Sequence, residues 1–223
     1  MNLLRTWISR TCAIAICGAL ISPAHAYQQE YRFTYSKLYT QLKHNAEDGH
    51  ESARLGIFFV ESKSGLPCQI DKAWMEKEEK YEALGTAPSG ELQLPLDSHL
   101  RQANPLVFVH IDQITQCDFS MVVMSREPLK QQVDYQHLAN LKGDMQLLLG
   151  KLGGMFARWF TPDIEGVTLE FAQPMGEVKI SDGTTLSIVD HRVSVDLREL
   201  TQDQYLVLPA ETLRVMPYIP SAD

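Results

Sequence analysis

This 223-residue sequence lacks the common catalytic signatures. Beyond residue 26 there is no G-x-S-x-G and no S-x-x-K segment, so two frequent serine-hydrolase arrangements have no support. It also has no H-E-x-x-H motif and no glycine-rich loop placed after a strand pattern, so neither a zinc protease nor a phosphate site is indicated. His44 and His50, which flank an acidic stretch, are interpreted as a solvated helix end rather than a metal site. No cofactor or metal is predicted.

Long hydrophobic runs are missing as well. The apolar run at residues 11–21 has 11 residues, whereas a membrane-spanning helix needs roughly 20, so an integral membrane protein is not predicted. Two arginines precede this run and an A-x-A signal at residues 24–26 follows it, which is the layout of a secretory signal peptide. We therefore predict export to the periplasm with cleavage between Ala26 and Tyr27. An N-terminal core helix is the alternative.

Cysteine is scarce, and two of the four cysteines lie within the predicted signal peptide. Cys68 and Cys117 remain, and in an oxidising compartment they have one possible pairing. We predict a structural disulfide, which would destabilise the unfolded chain by about 4 kcal/mol through loop entropy. A buried pair of thiols is the alternative, and the Cys-x-x-Cys spacing of redox-active sites is absent.

Positive charge is in the minority, with 20 basic residues against 28 acidic ones and a net charge of −8. Cleavage at residue 26 removes two arginines and no acid, which leaves −10. Such a surface repels nucleic-acid phosphates and anionic lipid headgroups, so neither is predicted as a partner. The mixed run at residues 76–80 is interpreted as a solvated face rather than a cation site.

Two helices are predicted from apolar residues spaced by three and four. The first covers residues 35–45, and the second covers residues 134–160, with Asp134 as its N-cap and Pro162 after its end. The apolar stripe of the second helix is Leu138, Leu141, Met145, Leu148, Leu152, Met155 and Trp159. Glycines within it weaken the helix by up to about 1 kcal/mol each relative to alanine. We expect them to permit close approach to a sheet.

Short strands account for most of the remaining chain. They are predicted at residues 54–61, 68–75, 92–96, 106–111, 119–124, 167–171, 178–180, 185–188, 193–197, 205–208 and 213–218. Asp182 and Gly183 indicate a hairpin turn. The sequence therefore predicts an α+β fold, with a short N-terminal helix and one long amphipathic helix packed on mainly antiparallel sheets.

The domain organisation has two interpretations. In the first, residues 27–128 form a strand-rich half with the disulfide, and residues 129–223 form the long helix with the C-terminal strands; in the second, residues 27–223 are a single domain. An offset of 101 residues aligns the alternation at 92–96 with that at 193–197, which suggests two similar strand-rich halves. Matches of this kind also arise by chance.

One segment indicates binding. Residues 152–160 combine large apolar side chains with glycines, and Phe156 and Phe160 flank the stripe of the long helix. These two are the candidates for a groove that takes a peptide or lipid chain, with core packing as the alternative.

Five segments have distinctive sequences: AWMEKEE at 73–79, LPLDSHLRQANPLVFVH at 94–110, CDFS at 117–120, LGGMFARWFTPD at 152–163 and RVMPYIP at 214–220. They resemble an uncharacterised family of exported proteins of Gram-negative bacteria, known only as a domain of unknown function. The resemblance implies an exported bacterial protein. It implies no activity, ligand or catalytic residue.

Together these features predict a soluble periplasmic protein that acts by binding a protein or a small apolar ligand, such as an envelope-assembly accessory protein. The alternative is a periplasmic hydrolase with a site of scattered residues. That hydrolase would need one of His44, His50, His110, His137 or His191 to meet a serine or a carboxylate in a cleft.

Overall fold

Antiparallel strands dominate the computed structural model of the protein, which describes residues 28–112, 114–153 and 162–220. In chain order the strands are β1 (Gln28–Thr34), β2 (Ala53–Glu61), β3 (Lys72–Lys77), β4 (Lys80–Leu84), β5 (Leu106–Asp112), β6 (Cys117–Ser125), β7 (Gln132–Asp134), β8 (Gly166–Glu170), β9 (Glu177–Ile180), β10 (Thr185–Ser187), β11 (Arg192–Asp196), β12 (Tyr205–Val207) and β13 (Arg214–Tyr218). The α-helices are α1 (Tyr35–Leu42), α2 (Ser98–Ala103) and α3 (Tyr135–Leu152), and short 3₁₀ helices cover Lys43–Ala46 and Leu197–Glu199. The predicted α+β class is confirmed.

The strands of the described residues pair in four antiparallel groups. The N-terminal sheet has the order β1-β5-β3-β4, and β2 pairs with β6 in a long ribbon. The C-terminal groups have the orders β10-β9-β12-β7 and β11-β8-β13. Helix α3 packs against β2, β6 and β8, so it contacts strands on both sides of residue 128. The division into two domains at that residue stays a prediction.

An aromatic cluster joins the N-terminal sheet to the β2–β6 ribbon. The ring centroids of Tyr31 and Phe59 are 4.7 Å apart, as are those of Phe33 and Phe119. Phe59 and Phe119 face each other across the ribbon at 5.9 Å in an edge-to-face arrangement. Alternate side chains of β1 therefore pack inward, which leaves the opposite face of the N-terminal sheet turned away from this core.

The predicted disulfide between Cys68 and Cys117 is present, with the two Cα atoms 6.3 Å apart. Both cysteines are buried, one in the loop after β2 and the other at the start of β6. The Tyr31 hydroxyl donates a hydrogen bond to the carbonyl oxygen of Cys117. The bridge thus fixes one end of the ribbon next to the aromatic cluster.

Both predicted helices begin where expected. Helix α1 starts at Tyr35, and the 3₁₀ segment after it extends the helical path to Ala46. The Asp134 carboxylate accepts the backbone N–H of His137 at 2.7 Å and caps α3. Residues 154–161, the last part of the predicted long helix and the residue after it, lie outside the described residues. No described helix has both the length and the apolar character needed to cross a membrane.

The prediction that glycines of the long helix permit close approach to a sheet is wrong for Gly143 and Gly150, the two glycines inside α3. A Cβ atom added at Gly143 or Gly150 would meet no atom within 4 Å, so no neighbour requires glycine there. Close approach occurs instead at Gly166 in β8, where a Cβ atom would lie 1.9 Å from the Val195 carbonyl oxygen. Glycine is therefore a steric requirement in the sheet and not in the helix.

The predicted strand at residues 92–96 is also wrong. Leu92 forms only an isolated bridge with Thr86, although it is 3% exposed and belongs to the core. Leu96 is 43% exposed, so the alternation does not mark one buried face. The offset of 101 residues consequently aligns a loop with β11, and this segment gives the repeat hypothesis no support.

Candidate functional site

The two residues predicted to line a groove, Phe156 and Phe160, lie outside the described residues, so that groove stays a prediction. Within the ranges that the structure covers, no three His, Cys, Asp or Glu side chains are grouped so as to hold a metal ion. The described residues present a different groove, formed by the hairpin of β3 and β4.

Two histidines meet carboxylates. The His110 Nε2 atom lies 2.9 Å from the Glu30 Oε2 atom on the outward face of the N-terminal sheet. The Nδ1 atom of His44, in the first 3₁₀ helix, lies 3.0 Å from the Oε1 atom of Glu47, the residue after that helix. Neither pair lines any of the four main grooves of the described residues, so these contacts give the hydrolase hypothesis no support.

Of the other three candidate histidines, His50 is buried and the side chains of His137 and His191 are exposed. His50 is completely buried, and neither of its ring nitrogens forms a hydrogen bond. The backbone N–H of His137 belongs to the N-cap of α3. His191 lies in the turn before β11 with a φ of 67°, and Asp190 before it has a φ of 48°.

The hairpin of β3 and β4 ends the N-terminal sheet at one edge. Its turn consists of Glu78 and Glu79, because Lys77 pairs with Lys80 across it. Glu78 has a φ of 55°, in the left-handed region that residues other than glycine and asparagine rarely adopt. All residues of β4 except Leu84 are exposed, and no described strand pairs with its outer edge.

A groove of about 770 Å³ lies between this hairpin and the segment that runs from α2 into β5. Its lining includes the apolar side chains of Met75, Leu100, Ala103 and Pro105. The Lys77 Nζ atom donates to the Ala103 carbonyl oxygen at 2.5 Å and links the hairpin to the end of α2. We call this feature the hairpin groove.

Helix α2 is short, and local hydrogen bonds fix both of its ends. The Asp97 carboxylate accepts the backbone N–H groups of His99 at 2.6 Å and Leu100 at 3.0 Å. The bond from Leu100, followed by that from His99, lowers the pKa of Asp97 below its ordinary value. Asn104 ends the helix in the left-handed conformation, with its N–H bonded to the Leu100 carbonyl. These bonds hold Leu100 at the hairpin groove.

Among the described residues that line the hairpin groove, the charged ones all belong to the hairpin. They are four carboxylates, Glu76, Glu78, Glu79 and Glu82, and two ammonium groups, Lys77 and Lys80. The excess of carboxylates attracts cations, and at physiological ionic strength this attraction is screened beyond about 8 Å. Lys77 is already engaged with the carbonyl oxygen at the end of α2.

The outward face of the N-terminal sheet carries a row of stacked side chains. The Trp74 and Phe108 rings stack with centroids 5.0 Å apart and planes 9° apart. Arg32 lies over the Phe108 ring at 5.1 Å, and Lys72 lies over the Trp74 ring at 4.8 Å. Tyr81 of β4 extends the row at 6.1 Å from Trp74. We call this set the aromatic row.

Charged pairs flank the aromatic row. The Trp74 Nε1–H group donates to the Glu76 carboxylate at 3.1 Å, so Glu76 belongs to both the row and the groove. Hydrogen bonds from His110 first, and then from Arg32, lower the pKa of Glu30. The face is therefore mixed in charge, and its ring faces are partly covered by its own cations.

This arrangement is suited to recognition. An apolar floor provides burial for a side chain, a carboxylate rim selects positive charge, and an exposed strand edge lies alongside both. The sequence interpretation of residues 76–80 as a solvated face agrees with their exposure. The sequence alone could not reveal the groove, because only the tertiary fold brings Leu100 and Pro105 next to the hairpin.

Comparison with known proteins identifies one family. The model of the family described as "Protein of unknown function (DUF2987)" matches residues 27–171, which contain the entire N-terminal sheet, α2 and the hairpin groove. No curated protein and no solved structure matches the chain.

Proposed function

Because the chain belongs to this family of proteins of unknown function, which supplies no activity, we propose a function from the site: an exported, non-catalytic protein that binds a basic peptide segment of a partner protein. The hairpin groove is the binding site. The proposed function involves no reaction and no cofactor.

The observation that carries the proposal is the combination of an apolar floor with a rim of four carboxylates. Burial of one leucine-sized side chain on such a floor contributes about 1.5–3 kcal/mol. Exposed ion pairs on the rim add about 0.2–1 kcal/mol each. The net charge of −10 of residues 27–223 extends this preference beyond the groove, since it attracts basic segments and repels acidic ones. The expected complex is weak and sensitive to salt.

Two features support the exported part of the proposal. The N-terminal sequence has the layout of a cleavable signal peptide, with cleavage after Ala26. The disulfide between Cys68 and Cys117 is of the kind that persists in oxidising compartments such as the periplasm. An envelope-assembly accessory that binds basic segments of other exported proteins fits both features.

The test uses residues 27–223 of the protein and a heptapeptide of alternating lysine and leucine, acetylated and amidated. Isothermal titration or fluorescence anisotropy at low and at physiological salt gives the dissociation constant. We expect the lysine–leucine peptide to bind, and the matching glutamate–leucine peptide to bind at least about tenfold more weakly, because its charges oppose the rim. Equal affinity for the two peptides would exclude the proposal.

A charge-matched pair of variants localises the binding. Glu79→Gln with Glu82→Gln removes two carboxylates from the rim, whereas Glu127→Gln with Glu177→Gln removes two exposed carboxylates elsewhere. The first variant should weaken binding by about twofold to thirtyfold, as expected for two exposed ion pairs. The second should leave binding within about twofold, because beyond a Debye length charges are largely screened. Equal losses in both variants would place the binding outside the groove.

A further inference from the structure

The free edge of β4 gives the proposed peptide a defined geometry. Resting on the proposed function, we infer that the basic segment binds as an additional strand of the N-terminal sheet, paired with β4. The site is then the outer edge of β4 together with the hairpin groove on one side and the aromatic row on the other.

The edge is unpaired from Lys80 to Leu84 in the part of the chain that the structure describes. Just beyond it the Gly85 carbonyl oxygen accepts the backbone N–H of Gln93, and residues 82–84 line a second groove with residues 93–95. In the described residues β4 pairs with β3 alone, and the order β1-β5-β3-β4 leaves it at the end of the sheet. Its backbone has no hydrogen-bond partner from another described segment. An exposed edge strand with free N–H and C=O groups is a template for an added strand.

The pairing of β3 with β4 shows which backbone groups are available. Lys77 and Lys80 close a two-residue turn, and the closing pair of such a turn exchanges backbone hydrogen bonds. Glu82 occupies the next hydrogen-bonded position. Tyr81 and Ala83 therefore turn their N–H and C=O groups toward the free edge, where an added strand would bind them.

Side chains of an added strand would alternate between the two surfaces. Lys80 and Glu82 lie opposite Lys77 and Met75, on the side of the hairpin groove. Tyr81 stacks on Trp74 in the aromatic row and also borders the groove. One set of side chains of the bound segment thus reaches the apolar floor, and the other set lies beside Tyr81, which is 53% exposed. Backbone bonds supply affinity in such complexes, and the alternate side chains supply specificity.

The charges of the edge strand favour a basic segment over a second copy of this chain. Charged residues on an edge strand discourage pairing of identical edges, because like charges then face each other. Edge-to-edge pairing of two copies of β4 would bring together two hairpins that each carry four carboxylates and two lysines. A lysine-bearing strand meets the same carboxylates with opposite charge.

The experiment uses backbone N-methylation of the lysine–leucine heptapeptide. In an extended strand the N–H groups of alternate residues point to the same edge, so all leucine N–H groups face one edge and all lysine N–H groups face the other. Two derivatives are prepared, one methylated on the leucine nitrogens and one on the lysine nitrogens. Charge and apolar side chains are the same in both and in the parent peptide.

We expect one derivative to lose at least about tenfold in affinity and the other to stay within about threefold of the parent, because only one edge of the peptide bonds to β4. Equal binding by all three peptides, or equal loss in both derivatives, would refute strand addition while leaving the proposed function intact. Absence of binding by the parent peptide would instead refute the proposed function. The two failures are therefore distinguishable.

Amide hydrogen exchange gives an independent measurement on the intact protein. With the parent peptide at about ten times its dissociation constant, exchange at Tyr81 and Ala83 should slow by about tenfold, the limit set by the unbound fraction. Exchange at Lys80 and Glu82, whose N–H groups already bond to β3, should stay unchanged. Protection at the second pair without protection at the first would contradict the inference.

Discussion

Substitution of Glu170 tests how the C-terminal strands are held to the ribbon. Arg192, Glu170 and Arg214 occupy one row across β11, β8 and β13. The Arg214 Nη2 atom lies 2.7 Å and 2.6 Å from the two carboxylate oxygens, and the Arg192 Nε atom lies 3.0 Å from one of them. The Arg214 guanidinium also lies 4.7 Å from the centroid of the Phe58 ring in β2. One carboxylate therefore serves two cations next to the ribbon.

Exposure determines the size of the effect. Arg214 is 2% exposed and Glu170 is 5% exposed, whereas the Arg192 side chain is 27% exposed. In Glu170→Gln the shape is kept, but Arg214 loses its counter-charge in a place that water cannot reach. Removal of one partner from a buried ion pair costs about 3–5 kcal/mol. Because water can still solvate Arg192, we assign this cost to Arg214.

Urea unfolding followed by circular dichroism measures the change, with Glu177→Gln as the control at an exposed position of strand β9, which belongs to another sheet. The control should change the free energy of unfolding by less than about 0.5 kcal/mol. The double variant Glu170→Leu with Arg214→Leu leaves no unpaired buried charge. Its loss in free energy of unfolding should therefore be smaller, by at least about 1 kcal/mol, than the sum of the losses in the single variants Glu170→Leu and Arg214→Leu. A loss below about 1 kcal/mol for Glu170→Gln, or strict additivity in the double variant, would refute the reasoning.

Two further predictions concern the disulfide and the helix glycines. Cys68→Ala with Cys117→Ala should lower the free energy of unfolding by about 4 kcal/mol, the loop-entropy value for a separation of 49 residues, and urea unfolding of the oxidised protein provides the reference. Gly143→Ala and Gly150→Ala should each raise the same quantity by up to about 1 kcal/mol, since the added methyl group meets open space. Gly166→Ala should have the opposite effect, because its methyl group would collide with a carbonyl oxygen. Stabilisation at that position, or destabilisation at the two helix positions, would contradict this steric account.

Local signals were enough to predict much of the fold. Asp134 followed by apolar residues at spacings of three and four predicts the start of α3, because capping and one-sided burial are decided within the helix itself. The Asp182–Gly183 turn is confirmed, and Gly183 has the positive φ of 95° that such a turn requires. The disulfide followed from the expected compartment and from counting alone, since residues 27–223 contain no cysteine other than Cys68 and Cys117.

The errors share a physical origin. Strand β4 was not predicted because it is charged and exposed, so it has no hydrophobic period, and its pairing with β3 defines it. Leu92 alternates with its neighbours but is buried as part of a loop, which periodicity cannot separate from a strand. The hairpin groove likewise depends on contact between the hairpin and Leu100, residues more than fifteen positions apart. The periodicity of a short segment carries no information about contacts with distant residues.

The conformation of Glu78 places a costly backbone angle at the turn of the proposed binding hairpin. A left-handed φ costs a residue with a Cβ atom roughly 1 kcal/mol or more, and glycine at the same position avoids that cost. The turn nevertheless has a glutamate with a φ of 55°, followed by a second glutamate. Local strain is tolerated where the strained residue contributes something that the cheaper residue lacks. Under the proposed function, that contribution is a carboxylate on the rim of the groove, next to an unpaired strand edge, where it would meet a basic strand.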